Sequence, residues 1–130
     1  MRLARAGRAT VETYGLGEAA GTAAFWQGER CDAAPGFQGL LLRRAGAPVG
    51  RFAVPLSGRH NLSNALGALA TLIGHGLPAV ALEGAMRRFR GVRRRQEVRG
   101  VAAGVTVIDD FAHHPTAIRE TLEGLRELHG

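Results

Sequence analysis

The sequence contains no lysine, and its 17 basic residues are all arginine. The lack of lysine excludes Schiff-base chemistry and a lysine that grips phosphate within this chain. No Gly-Lys-Ser or Gly-Lys-Thr occurs, so a glycine-rich phosphate loop is excluded as well. Cysteine occurs only at Cys31, which excludes an internal disulfide and a cysteine metal cluster. A reducing cytoplasm is therefore the expected compartment.

Long apolar runs are also missing. The N-terminal residues lack the apolar segment of a signal peptide, and no stretch is long and apolar enough to cross a bilayer. The net charge is +6, and seven of the arginines lie between Arg87 and Arg99. That segment has one aromatic residue, Phe89, and no zinc-ligand spacing, so it carries no dedicated nucleic-acid motif. We expect neither a membrane nor a specific nucleic acid as a partner.

An apolar run followed by two acids, two histidines and a proline is the most informative stretch. Val105–Ile108 predicts a buried strand, and Pro115 suits the first turn of a helix. The acids and histidines therefore fall on a strand-to-helix loop, which is where α/β folds bind ligands.

The side chains of this loop do not form a hydrolytic or metal site. Asp109 and Asp110 are adjacent on a strand and point to opposite faces, so they are a poor general acid–base pair. His113 and His114 lack further ligands at metal spacing, so no metal site is predicted. We predict that His113 orients a nucleotide or substrate and that His114 caps the following helix.

Upstream of this loop the pattern predicts a small antiparallel meander. The first ten residues are expected to be a poorly ordered lead-in, and a flexible loop is expected over residues 15–21. Alternation of apolar and polar residues places Phe52 and Val54 on a core face and Arg51 on the other. The predicted short strands cover residues 11–14, 24–27, 39–43 and 50–56.

Three helices and one hairpin complete the prediction. Apolar residues from Leu62 to Ile73 repeat at helical spacing, with Asn61 as the expected N-cap. Pro78 opens a second helix whose apolar face includes Val80. Residues 98–101 and 105–108 are expected to pair through a turn at 102–104, and the last helix to run from 115 to about 128.

Two motifs and a linker resemble the Mur ligases, the ATP-dependent amide-forming enzymes of bacterial cell-wall synthesis. The run from Asp109 to Ile118, Asp-Asp-Phe-Ala-His-His-Pro-Thr-Ala-Ile, resembles the start of their C-terminal domain. Gly58-x-His60-Asn61-x-x-Asn64-Ala65-x-x-Ala68 is similar to their helix-start motif beside adenine. Arg93-Arg94-Arg95-Gln96-Glu97 is similar to their interdomain linker, which ends Arg-x-Glu.

The resemblance implies nucleotide-binding roles for residues of all three segments. It assigns Asn64 to adenine, Arg95 to phosphate or ribose oxygens, and Asp110 to the ribose hydroxyls, with weaker roles for His60, Asn61 and His113. On the residues alone, a helix cap at Asn61 and a polar first-turn position at Asn64 are the better explanation of these two residues. The resemblance also implies ATP and Mg²⁺ as cofactors of the complete enzyme, and it places no catalytic residue and no metal ligand in this chain.

Within the family, the run from Asp109 to Ile118 most resembles that of the tripeptide-adding members. They attach L-alanyl-γ-D-glutamyl-meso-diaminopimelate, the murein tripeptide, to UDP-N-acetylmuramate. Members that add L-alanine more often have Tyr-Gly in place of Phe111-Ala112 and Glu in place of Ala117. The alternatives are therefore an L-alanine-adding ligase and, from another class, a non-catalytic module that binds polyanions through its arginines.

The expected fold class is α/β. We predict part of a Mur ligase central domain (residues 1–97, a small antiparallel meander plus helices and the linker), followed by the first strand-loop-helix of a Rossmann-like C-terminal domain (residues 98–130). Because the phosphate loop has no match, we expect the chain to be a fragment that is inactive alone. A further alternative is that the piece does not fold stably by itself.

Overall fold

The computed structural model describes residues 11–17 and 24–129. The predicted lead-in and residues 18–21 of the predicted loop lie outside the described residues. The strand predicted over 11–14 lies instead at Tyr14–Leu16, so residues 15 and 16 are strand and not loop. The elements, in chain order, are β1 (Tyr14–Leu16), β2 (Trp26–Cys31), β3 (Gln38–Arg44), β4 (Ala47–Val54), α1 (Arg59–Gly74), α2 (Ala79–Arg88), β5 (Glu97–Ala102), β6 (Val105–Asp109) and α3 (Pro115–His129). The predicted α/β class is confirmed.

The first four strands form one sheet in the order β1-β2-β3-β4. β1 is parallel to β2, and the other pairs are antiparallel, so the predicted meander is confirmed. β4 begins at Ala47, where the sequence predicted a turn, because Ala45 and Gly46 make the reversal with φ of 48° and 81°. Pro48 is accommodated in β4 because this is an edge strand, opposite a bulge at Leu42/Arg43.

The core lies between this sheet and α1. Phe52 and Val54 are 2% and 1% exposed while Arg51 is exposed, which confirms the predicted alternation. The helix contributes its apolar stripe at the spacing that the sequence predicted. The largest fully buried side chains are Trp26, Leu40, Leu42, Phe52, Val54, Leu62, Leu66 and Leu69.

The start of α1 differs from the prediction. The helix begins at Arg59, and Gly58 precedes it with φ of 85°, a left-handed conformation that glycine adopts without strain. Asn61 is therefore not the N-cap but lies in the first turn, where its Nδ2 donates to the carbonyl oxygen of Ser57 at 2.7 Å. The glycine turns the chain into the helix earlier than the asparagine would.

Helix α2 packs against β4. Leu82 is its buried residue, whereas Val80, predicted on the apolar face, is 75% exposed. Pro78 precedes the helix as expected, and Arg87 and Arg88 lie in its last turn, where cations are favoured.

β5 and β6 form the predicted antiparallel hairpin. Its turn residues Ala103 and Gly104 both have positive φ, 50° and 78°, as a tight hairpin turn requires. The prediction of a buried strand at 105–108 is wrong, since Val105 and Val107 are 63% and 55% exposed. Within the described chain the hairpin has two strands only, so its valines have no covering layer there.

None of the helices in the described ranges combines the length and the apolar character that crossing a bilayer requires.

Loss of packing under α1 should be measurable by chemical denaturation. Leu66 is 0% exposed, so we expect Leu66→Ala to lower the free energy of unfolding by about 2–5 kcal/mol. Val80→Ala is the control: this side chain is 75% exposed and its truncation should change the value by less than about 0.5 kcal/mol. Equal effects of the two variants would contradict this description of the core.

Candidate functional site

A cavity of about 480 Å³ opens between α1, α2 and the segment that follows α2. Its walls are mainly apolar, because α1 and α2 both contribute aliphatic side chains to its lining. The lining residues are Val54, Leu56, His60, Asn61, Asn64, Ala65, Ala68, Leu69, Leu72, Leu82, Ala85, Met86, Phe89, Val92 and Arg95. This volume lies within the range of sites for small organic ligands.

One corner of the cavity is polar. His60, Asn61 and Asn64 share one face of α1 because they are three and four residues apart, and Arg95 reaches the same cavity from the linker. The structure thus brings together four of the six residues that the sequence assigned to a nucleotide. Asn64 is exposed, which leaves its amide available to a ligand.

His60 and Asn61 differ in how their polar atoms are used. Asn61 is 7% exposed, and its Nδ2 donates a hydrogen bond to the Ser57 carbonyl oxygen. The Nδ1 atom of His60 is buried and has no hydrogen-bond partner among the described residues. Glu120 Oε2 of α3 lies 3.9 Å away, too far for a hydrogen bond and within ion-pair distance only of a protonated imidazole.

The linker is held in a strained conformation that presents Arg95. Arg94 and Gln96, on either side of it, have φ of 58° and 51°. The Arg94 N–H donates to Glu97 Oε2 at 2.9 Å, and the Arg94 carbonyl accepts from the Phe111 N–H at 2.8 Å. The Arg94 guanidinium also lies 5.1 Å from the centre of the Phe111 ring. These contacts fix the backbone on both sides of Arg95.

Asp110 lies outside the cavity lining and ties three segments together. Its Oδ2 accepts from the Gln96 N–H at 3.0 Å, and its Oδ1 accepts from the Ala112 N–H at 2.8 Å and from Thr121 Oγ1 at 3.4 Å. A carboxylate accepts about four hydrogen bonds, so these three partners use most of its capacity. In this structure Asp110 anchors the linker beside Arg95.

His113 also lies away from the cavity. Its Nδ1 is 3.0 Å from the carbonyl oxygen of Phe111, and its ring packs between Phe111 and His114, with centroids 5.0 and 4.3 Å away. The carbonyl of His114 accepts the first hydrogen bond of α3, from Ile118. No three His, Cys, Asp or Glu residues in the described ranges are grouped to hold a metal ion.

Sequence reasoning missed the walls of the cavity and the role of Gln96. The sequence indicates Leu72, Met86 and Phe89 only as apolar positions, whereas in the structure their side chains line the cavity. The Gln96 Oε1 accepts from the Ser57 N–H at 3.2 Å, a contact across 39 residues for which the sequence gives no signal. The arrangement as a whole, apolar walls with an amide and a guanidinium at one corner, suits a planar heteroaromatic ring that carries an anionic group.

Part of the chain is similar in sequence to known proteins of one family. Residues 93–130 match the family described as Mur ligase, glutamate ligase domain. Over 79 residues, 61% of this chain, the sequence is 51% identical to the UDP-N-acetylmuramate–L-alanine ligase of Anaeromyxobacter dehalogenans strain 2CP-1. The chain spans 17% of the length of that curated relative.

Solved structures share the fold. The UDP-N-acetylmuramate–alanine ligase of Thermotoga maritima matches with a TM-score of 0.72 over 80% of this chain and 25% of its own, at 28% identity. The murein peptide ligase Mpl of Psychrobacter arcticus 273-4 matches with 0.56 over 89% and 24%, at 30% identity. The folylpolyglutamate synthase of Mycobacterium tuberculosis, solved with ADP and AMPPCP, matches with 0.66 over 80% and 24%, at 26% identity.

The chain is therefore similar to parts of Mur ligase family proteins, as the motifs predicted. The similar relative from Anaeromyxobacter is named as a UDP-N-acetylmuramate–L-alanine ligase, and a murein peptide ligase, Mpl, is a structural neighbour. The expected preference for the tripeptide-adding members is not confirmed.

Glu97, the acidic residue of the linker, gives a prediction about how the structure depends on pH. The Arg94 N–H that donates to Glu97 lowers the pKa of this carboxyl below 4.5; burial opposes the shift and the nearby Arg99 adds to it. A carboxylate with a lowered folded-state pKa stabilises the fold above its unfolded pKa, and that stabilisation is lost as pH falls through the folded pKa. We expect an NMR titration midpoint below 4.5 for Glu97.

The companion variant is Glu97→Gln. It should remove the pH dependence of hydrogen-exchange protection at the Arg94 amide below pH 4.5, since the neutral amide cannot titrate. A Glu97 midpoint at or above 4.5 would contradict the hydrogen bond from Arg94.

Proposed function

We propose that this chain forms the adenosine-binding part of an ATP-dependent ligase that acts on UDP-N-acetylmuramate. The observation that carries the proposal is the meeting of Asn64, from α1, and Arg95, from the linker, in one cavity with apolar walls. The two residues come from separate segments, and the resemblance to the Mur ligases assigns both segments to the nucleotide. The folylpolyglutamate synthase that shares this fold was solved with ADP and AMPPCP, which supports a nucleotide here.

The cavity suits adenosine chemically. Aliphatic and thioether side chains such as Leu72 and Met86 offer flat contact to a purine, and the Asn64 amide can donate to a ring nitrogen and accept from the exocyclic amine. Arg95 carries a planar fork of donors that fits phosphate or ribose oxygens. The buried Nδ1 of His60, which has no hydrogen-bond partner within the described residues, gives the corner a further polar atom.

The remaining assigned residues take supporting roles in this proposal. Asn61 keeps the start of α1 in place through Ser57. Asp110 holds the linker through Gln96, and its remaining acceptor capacity is available for ribose hydroxyls. The ribose contact of Asp110 and any nucleotide contact of His113 stay predictions.

The chemistry of the complete enzyme requires parts that this sequence does not contain. ATP with Mg²⁺, when bound, supplies the phosphoryl group that activates the muramate carboxyl before an amine attacks it. The residues of this chain bind and orient the adenosine end, and they include no lysine for the phosphates. We therefore assign no catalytic residue here and expect the 130 residues alone to be inactive. We also propose that the protein acts in the cytoplasm. A domain boundary near Glu97, which divides residues 1–97 from 98–130, belongs to the same proposal.

L-alanine is the amine donor that we favour. The relative from Anaeromyxobacter, 51% identical over 79 residues, is named for that substrate. The murein tripeptide is the second candidate, supported by Phe111-Ala112 in the loop and by the likeness to Mpl at 30% identity. The residues that recognise the amine are not among those assigned here, so a ligation assay must decide.

The first test concerns the nucleotide. We expect Asn64→Ala to weaken ATP binding about tenfold, the equivalent of the ~1.4 kcal/mol that lost amide hydrogen bonds cost, as measured by isothermal titration calorimetry. Ser63→Ala, on the same helix but outside the cavity lining, is the control and should leave the affinity unchanged. An unchanged affinity in Asn64→Ala, or no ATP binding by the unaltered chain, would refute the assignment.

The second test concerns the substrates. The native polypeptide that carries the Asp110–Ile118 stretch is isolated, its intact mass is measured, and it is assayed for ADP release with UDP-N-acetylmuramate plus either L-alanine or the tripeptide. We expect a mass well above 13.7 kDa and turnover with L-alanine. Turnover with the tripeptide but not with L-alanine would favour the second candidate, and a mass near 13.7 kDa without turnover would overturn the ligase proposal.

A further inference from the structure

The start of α1 is one of the places where the C-terminal segment meets the rest of the fold. Helix α3 packs against α1 there, and the linker reaches the same place through Gln96. The contact is made with the backbone of Ser57 and Gly58, the two residues that lead into α1.

The closest approach involves two glycines. A Cβ atom placed on Gly124 of α3 would lie 2.9 Å from Gly58 Cα, 3.0 Å from Gly58 N and 3.3 Å from the carbonyl carbon of Ser57. All three are backbone atoms, which cannot move aside as the end of a flexible side chain can. Gly124 is buried, so only a residue without a side chain permits α3 to lie at this distance.

Two glutamines hold the same turn from opposite sides. Gln38 of β3 donates through Nε2 to the carbonyl oxygens of Leu56 and Gly58, and Gln96 of the linker accepts the Ser57 N–H at 3.2 Å. The turn is therefore clamped between the sheet, the linker and α3.

The position of this turn sets the polar corner of the cavity. Gly58 is the residue before α1, and the Asn61 amide is bonded to the Ser57 carbonyl at 2.7 Å. His60 and Asn64 follow on the same helical face. A displacement of Ser57 and Gly58 would carry all three side chains with it, because a helix moves as a rigid element.

We propose that Gly124 is a positioning residue for the nucleotide site. By allowing α3 to dock directly on the Gly58 backbone, it holds His60, Asn61 and Asn64 in the arrangement that binds adenosine, although it touches none of the ligand itself. The proposal rests on the proposed function for its ligand, and its structural part, the dependence of the polar corner on α3, stands separately.

The test is Gly124→Ala, with Gly84→Ala as the matched control. Alanine favours a helix over glycine, so a purely local role predicts equal or higher stability for both variants. A Cβ on Gly84 of α2 would meet only the end of the Arg88 side chain, at 3.3 Å. ATP affinity is measured by calorimetry, the Asn61 and Asn64 side-chain amide signals by NMR, and stability by denaturation.

We expect Gly124→Ala to shift both amide signals and to weaken ATP binding at least about fivefold, the lower end of typical coupling between sites, while Gly84→Ala does neither. Amide signals and affinity that match those of Gly84→Ala would overturn the proposal. If the unaltered chain binds no ATP, the proposed function fails, and the amide signals still decide whether α3 positions the corner.

A second variant covers the case in which Gly124→Ala does not fold. Glu120→Gln keeps the size of the side chain and weakens the approach of α3 to His60, 3.9 Å away, without a clash. We expect it to shift the same Asn61 and Asn64 signals in the folded protein. Signals that stay in place would overturn the proposal.

Discussion

The burial of one stripe of α1 against the first sheet is the interaction on which the rest of the structure depends. Leu62, Leu66 and Leu69 are at most 1% exposed, and they meet the sheet residues Trp26 and Phe52, each 2% exposed. Each buried side chain of this size contributes about 1.5–3 kcal/mol, which no surface ion pair within residues 11–17 and 24–129 approaches. With this stripe fixed against the sheet, the neighbouring face of α1, from His60 to Leu72, forms a wall of the cavity, and Leu69 belongs to both faces.

Hydrogen bonds to backbone groups, rather than ion pairs between side chains, position the polar residues. Asp110 accepts two backbone N–H groups, Glu97 accepts one, and Gln38 and Asn61 donate to carbonyl groups around Ser57. Such contacts fix direction as well as distance, whereas the exposed arginines keep much of their freedom. This explains how a chain with a large excess of arginine presents one of them, Arg95, to a defined place.

Much of the fold was predictable because it depends on local patterns. Local sequence patterns predict three of the elements: the apolar repeat predicts α1, the alternation predicts β4, and the turn residues predict the β5–β6 hairpin. The start of α1 was predicted at Asn61 because a cap residue is visible in sequence, whereas the φ of 85° at Gly58 is not. The exposure of Val105 was missed because burial of a strand depends on which other layers cover it.

The residues of the site were predictable only where a sequence motif contains them. The resemblance singled out Asn64 and Arg95, and the cavity joins them. Spacing could not reveal that Gln96 contacts Ser57 or that Gly124 meets Gly58, because both contacts join residues that are distant in the chain. An isolated glycine inside an amphipathic helix is the one signal of close packing that Gly124 offered.

The β5–β6 hairpin also affects how the chain behaves in concentrated solution. A strand edge with free N–H and C=O groups acts as a template for another strand, and this hairpin joins such edges to the exposed valines Val98, Val101, Val105 and Val107. The bulge between Val98 and Gly100 and the charge of Arg99 interrupt only part of β5. β6 has neither a bulge nor a charged residue between Val105 and Ile108. We therefore expect the chain to self-associate through this strand at high protein concentration.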